Sequence, residues 1–258
     1  MTPLRDLRWI ALAVVAALGM APLPAAAQTD EIQVYTGEIN APGQLSLTLH
    51  NNYTPIGRKE AEIPGGIVPQ GSLNGVPEWG YGVNEWLELG LYLPLYSVTR
   101  TGRFLVNGGK VRVLFAVPHA AERSFFYGVN FEFSYNAHHW EQQHFSMEMR
   151  PIVGVRFGPV DFIVNPIIDN DFTGIGSLDF APAARLAYNF SETWAVALEH
   201  YADFGPVRRF NGLRDQQQTL YAVVDYSGEP LDIEAGIGHG FTAASDGLVL
   251  KLLLTKSF

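Results

Sequence analysis

The sequence contains no cysteine, which excludes a disulfide scaffold, cysteine-ligated zinc or iron–sulfur centres, thiol catalysis and a lipidated N-terminal cysteine. Charge is scarce as well. Asp, Glu, Lys and Arg make up 17% of the 258 residues, against about 25% in ordinary soluble chains, so these residues do not build a typical water-facing surface. Positive charge is the rarer sign. With 17 basic against 26 acidic side chains, the chain lacks the clustered Lys and Arg that phosphate backbones require, and a nucleic-acid partner is excluded. Long apolar runs are missing too: the stretch from Trp9 to Met20 falls well short of the roughly 20 residues that span a bilayer as a helix.

That short run has the layout of an export signal. Arg5 and Arg8 precede it, and Pro22, Pro24 and the small-residue run Ala25–Ala27 follow it. The reading is a signal peptide at 1–27, a short N-terminal segment at 28–43 and one domain at 44–258. Since no later run is long enough for a helical span, a membrane-resident mature chain has to be a closed β-barrel, in which every backbone group is paired between strands.

What is present supports the barrel. In WLELGLYLPLYSV, Leu87, Leu89, Leu91, Leu93 and Leu95 occupy alternate places, with Glu88, Gly90 and Tyr92 between them. A helix would scatter these leucines, whereas a strand's pleat gathers them on one face. The alternation recurs along most of the chain, and predicts twelve antiparallel strands near 44–55, 75–83, 86–98, 108–117, 124–137, 145–157, 160–168, 178–190, 194–204, 216–226, 231–241 and 246–258. The expected fold is therefore an all-β, up-and-down transmembrane barrel. Connections alternate in length, as in outer-membrane barrels with short periplasmic turns and longer outer loops. Two break the rule: His119–Ser124 is long for a turn, and 242–245 is short for a loop. Tyr81, Phe157, Tyr188, Phe190, Trp194 and Tyr226 flank the turns, and Tyr53, Tyr135, Phe145, Phe180 and Phe241 flank the loops, where aromatic girdles belong.

The last strand, GLVLKLLLTKSF, resembles the C-terminal signal read by the barrel-assembly machinery of Gram-negative bacteria, although Lys256 interrupts its apolar row. Together with EIQVYTGEINAPG, LHNNYTPIGRK and GGIVPQGSLNGVPEWGYGVNEWLELGLYLPLYS, the chain resembles the outer-membrane barrels of the MetA-pathway phenol-degradation family. The resemblance implies passage of small, in particular aromatic, molecules, and carries over no ligand-binding residue.

If the apolar rows face lipid, the alternate rows face inside with ten acids and six bases, a modestly negative interior. The candidate lumen-lining residues are Glu78, Glu88, Arg112, Glu132, Glu148, Arg150, Arg156, Arg185 and Glu199. Twelve strands lie between the eight whose interior side chains fill and the 16 to 18 that leave an aqueous channel, so a narrow or blocked passage is expected. Two segments are candidates to block it, Asp30–Gly43 and the apolar loop Ile56–Asn74.

The function expected is passive passage of a small solute, with outer-membrane lipid and lipopolysaccharide as surroundings; Arg208, Arg209 and Arg214 would suit lipopolysaccharide phosphates. Two alternatives stand beside it. One is a closed scaffold or adhesin, and the other a periplasmic lipid carrier with the apolar rows turned inward. Enzymatic, metal and cofactor chemistry is not expected. His138, His139 and His144 share one loop without an evident rigid frame, and no nucleophile motif accompanies Ser134, Ser146, His200 or His239.

Overall fold

Residues 31–258 are described in a computed structural model; the expected signal peptide lies outside the described residues. Fourteen strand segments form one antiparallel sheet. They are β1 (Leu45–Ile56), β2 (Leu73–Asn84), β3 (Leu87–Val98), β4 (Phe104–Ala116), β5 (Phe125–Asn136), β6 (Phe145–Phe157), β7 (Val160–Asn165), β8 (Ile168–Asn170), β9 (Leu178–Phe180), β10 (Ala183–Asn189), β11 (Trp194–Asp203), β12 (Gln217–Tyr226), β13 (Asp232–Gly240) and β14 (Leu248–Ser257). Apart from β7/β8 and β9/β10, consecutive segments pair with one another, and β1 pairs with β14 from Ser46↔Ser257 to Ile56↔Leu248, closing the sheet. The Phe258 amide extends this seam by donating to the Leu45 carbonyl at 2.8 Å.

Fourteen segments make twelve staves. Both β7 and β8 pair with β6 in one register, and β9 and β10 continue one another on the facing stave. The sequence pattern predicts unbroken strands over 160–168 and 178–190. Instead, Pro166 and Pro182, which have no N–H to donate, interrupt the ladder, while Ile167 keeps the inward parity and is buried.

The faces are as the alternation requires. Leu91 is 42% exposed on the outer surface and the adjacent Tyr92 is 0% exposed inside. Large apolar side chains outside and charged ones within exclude the inverted arrangement that a soluble lipid carrier needs. Trp86 stacks on Phe115 and Trp194 packs against Tyr226 at the short-turn end. Phe180 keeps the outward parity expected at the loop end and joins two further rings there. It is half-buried in a cluster with Phe204 and Phe210, because the loop after β11 folds back and its Phe204 N–H donates to the Phe180 carbonyl at 2.9 Å.

The overlong turn between β4 and β5 also has a reason. It holds a single 3-10 turn, Ala120–Glu122, whose Ala120 is buried beneath Phe126 and Ile152 and whose carbonyl accepts from Arg156 Nη1 at 3.3 Å.

Candidate functional site

The pleat that turns the leucines outward turns every expected lumen residue inward. Glu78 (β2), Glu88 (β3), Arg112 (β4), Glu132 (β5), Arg150 (β6), Arg185 (β10) and Glu199 (β11) are buried; Glu148 and Arg156, both on β6, are half-buried. They gather into separate groups. Arg112 Nη2 lies 2.9 Å from Glu78 and also bonds Glu88, while His50 Nε2 sits 2.8 Å from the other Glu78 oxygen. Arg150 holds Glu148 with two parallel N–H···O bonds of 2.6 and 3.0 Å. Arg156 pairs with Asp161 at 2.8 Å. Arg185 bridges Glu199, Asp225 and Glu234, and Lys251 joins Glu199 to Glu234. Pairing of this kind is what lets ionised groups occupy a confined interior, where an isolated charge would be very costly.

These groups are tied together by a chain segment that is not part of the wall. Residues 31–43 run inside the barrel. At one end Lys251 Nζ donates to the Ile32 carbonyl at 3.3 Å; next, Arg150 Nη1 donates to the Gln33 carbonyl at 3.0 Å. Tyr35 is the centre of the arrangement. Its backbone N–H donates to Asn165 Oδ1 at 2.7 Å, and Asn165 returns a bond to the Tyr35 carbonyl at 3.1 Å. Its hydroxyl is 2.5 Å from that of Tyr92 and donates to Glu132 Oε1 at 3.1 Å. The Arg150 guanidinium lies 4.4 Å from the ring centre, a cation–π contact on a shielded side chain. Further along, the Asn40 N–H donates to Glu88 Oε2 at 2.6 Å. The segment leaves at the short-turn end, where Ala41 lies so close over Gly82 that a Cβ there would strike its backbone.

The interior is less uniformly polar than expected. Val34 and Tyr35 join Leu114, Phe126, Ile152, Ile163 and Ala183 in a buried apolar cluster, and Ile32 joins Ala187, Ala197, Tyr221, Val223 and Val249 in a second. The sequence showed Asp30–Gly43 as a candidate plug without marking Tyr35 or Asn165. The one available signal was Ile32, Val34 and Tyr35 in a stretch without strand alternation.

At the opposite mouth, the 57–72 loop folds inward. Ile63 and Ile67 are buried, Arg58 reaches Asp246 at 3.3 Å and Glu62 at 3.0 Å, and the Gln70 amide bonds the Pro55 carbonyl at 3.1 Å. Burial outweighs the Arg58 charge and pushes the Glu62 carboxyl up to about 7. Between this loop and the top of the 31–43 segment lies a cavity of about 60 Å³, bordered by Ile32, Asn52, Thr54 and Tyr221, with room for a few waters. Residues 31–43 thus run through the interior, and the 57–72 loop folds over the opposite mouth.

The three loop histidines do not converge. The His138 and His144 rings are 3.9 Å apart, while His139 Nε2 faces Asn107 Oδ1 at 3.2 Å, and no group of three possible metal ligands occurs among the described residues. His200 stacks on Phe241 at the outer surface, and Ser146 accepts a bond from Asn136 within.

An outer membrane channel from Pseudomonas putida F1 shares this architecture, with a TM-score of 0.56 at 9% identity over 86% of this chain and 97% of that one. The fold is that of an outer-membrane barrel. Two further structures are similar at lower scores. The translocator domain of the autotransporter NalP from Neisseria meningitidis has a TM-score of 0.43 at 11% identity, over 85% of this chain and 89% of that one. The protein opdK from Pseudomonas aeruginosa has a TM-score of 0.37 at 7% identity, over 83% and 98%. No family model and no curated protein matches the sequence, so nothing in these comparisons names the phenol-degradation family.

Proposed function

We propose that this chain is an outer-membrane channel for passive passage of small molecules, small aromatic or hydrophobic compounds in particular, and that residues 31–43 set its opening. The observation that carries the reading is how this segment is held. It is fixed by side-chain bonds and small apolar contacts and has no strand pairing, so it can leave without breaking the wall's hydrogen-bond ladder. The apolar cluster around Val34 and Tyr35 supports a solute with an apolar body, because the same inner surface would be offered to a solute once the segment withdraws. The segment resemblances to the phenol-degradation family point to the same class.

In this reading the apolar outer rows face lipid and the aromatic ends mark the two interfaces. The exposed Arg208, Arg209 and Arg214 lie in an outer loop where lipopolysaccharide phosphates would meet them. The chain works without catalysis.

The test is reconstitution. In planar bilayers and solute-loaded liposomes, removal of residues 31–39 should raise conductance and small-solute flux well above the full chain, with heat-modifiable mobility confirming a folded barrel. A folded, silent deletion barrel would favour the closed scaffold instead, a reading that the saturated pairing of Arg185, Lys251, Glu199 and Glu234 supports.

A further inference from the structure

A cavity of about 420 Å³ opens at the outer mouth, between the 57–72 loop, the β3–β4 connection and the β5–β6 loop. Its wall carries Lys59, Arg100, Arg103 and His139 and not one carboxylate, although acids outnumber bases in the chain. None of the three permanent cations has a carboxylate within ion-pair distance among the described residues. Inside the barrel, by contrast, Arg112, Arg150, Arg156 and Arg185 are each answered by acids.

The rest of the wall is apolar or neutral. Ile67, Val68 and Leu105 contribute hydrocarbon, and Thr99, Thr101 and Gln70 contribute neutral hydrogen-bonding groups. Arg100 is placed by the backbone opposite it. Gly71 has φ +74, and a Cβ there would come within 3.0–3.2 Å of the Arg100 stem, so glycine both permits the turn and leaves the arginine its room. His139 is held below its ordinary pKa by partial burial and by Arg103, so near neutrality it is an uncharged hydrogen-bonding partner.

We propose that this cavity is a capture site for a small aromatic carboxylate, an organic monoanion whose acid group meets Arg100, Arg103 and Lys59 and whose single ring lies on Ile67, Val68 and Leu105. A volume of this size is within the usual range of ligand pockets, and guanidinium–carboxylate bonds are among the stronger polar contacts available at a solvent-exposed mouth. Inorganic phosphate would leave the apolar wall unused. Lipopolysaccharide is disfavoured by position: Leu105 has the inward parity, while its neighbours Phe104 and Val106 face out. The inference rests on the channel reading only for the onward fate of the ligand. Binding itself is independent of flux.

The experiment is calorimetric titration of the full chain in an uncharged detergent with benzoate, benzamide, acetate and inorganic phosphate. Benzoate should bind measurably better than the other three, and an R100Q/R103Q double variant should weaken it by about tenfold or more. A Val68→Asp variant, which changes an exposed loop residue, should weaken benzoate without creating affinity for phosphate. Equal binding of benzoate and phosphate, or benzoate binding unchanged in the double variant, would overturn the proposal. So would lipopolysaccharide binding that the double variant abolishes while benzoate is unaffected. Flux through liposomes carrying the barrel that lacks residues 31–39 separates the two readings: benzoate binding without any such flux refutes the channel and leaves the site standing, and flux without binding does the reverse.

Discussion

Tyr35 shows how much of this molecule depends on single side chains. Its hydroxyl satisfies Tyr92 and Glu132 at once, in an interior where unpaired polar groups are costly. Tyr35→Phe keeps the ring between Arg150 and Arg112 and removes both bonds. The segment should then be less firmly held, by about 1 to 3 kcal/mol. Single-channel recordings should show more frequent opening than in the full-length wild type, with an unchanged barrel by circular dichroism. Identical gating would mean that the remaining backbone bonds and apolar contacts hold the segment without the Tyr35 hydroxyl. At this scale the sequence was legible in part. The pleat's period of two placed Glu88, Arg112, Glu132 and Arg185 inside, because parity is local. Their partners were not legible, since Arg112 meets Glu88 across a strand pair and Arg150 meets the Gln33 carbonyl 117 residues away.

At the scale of elements, the two faces of a strand should answer differently to the same change. Leu91→Arg puts a charge on the lipid side, where it costs about 2 to 4 kcal/mol near the midplane, whereas Ser134→Arg puts it on the inner face, opposite Lys110 and Ser146 and one inward position along from the Glu132↔Glu148 pair. Heat-modifiable, protease-resistant barrel should be depleted by Leu91→Arg and largely retained with Ser134→Arg; equal depletion would mean that the assigned faces are wrong.

The 57–72 loop gives a pH test. Burial favours the neutral Glu62 carboxyl in the docked loop, so this contribution to docking is complete below the ordinary glutamate pKa and is lost as pH rises through about 7. Amide exchange in the loop, normalised to a Glu62→Gln variant, should therefore accelerate from pH 5 to pH 8, and a flat ratio would show that Arg58 keeps the carboxylate ionised throughout. Strands were the most legible elements because alternation states both their type and their orientation. The breaks at Pro166 and Pro182 were readable in principle, from the missing N–H groups. The lumen segment was not readable as a structure, because it follows neither period and takes its shape from the cavity around it.

For the whole molecule, the decisive quantity is the balance of charge along the axis. The inner rows carry more acids than bases, Asp169 and Asp179 included, while the outer mouth presents Lys59, Arg100 and Arg103 without acids. In the full chain the lumen charges are paired within the wall, and the segment itself brings Glu31 and Glu38 to Arg150 and Arg156 at 3.7 and 3.8 Å. Taking the segment away frees those two arginines of one acid each, but leaves Glu148 and Asp161 beside them, so the inner surface keeps its negative excess. A narrow passage with low-dielectric walls focuses such an excess on any permeating ion. A barrel lacking residues 31–39 should accordingly prefer potassium to chloride, as read from the reversal potential in a salt gradient. The preference should shrink as ionic strength rises and the Debye length falls below the pore radius. Adding R100Q/R103Q to this barrel should strengthen the cation preference, because it removes positive charge from the entrance without touching the lumen. An anion-selective deletion barrel would instead mean that Arg112, Arg150 and Arg185 project into the path and their acids are turned into the wall. The mouth cations would then be the first stage of a continuous anion route.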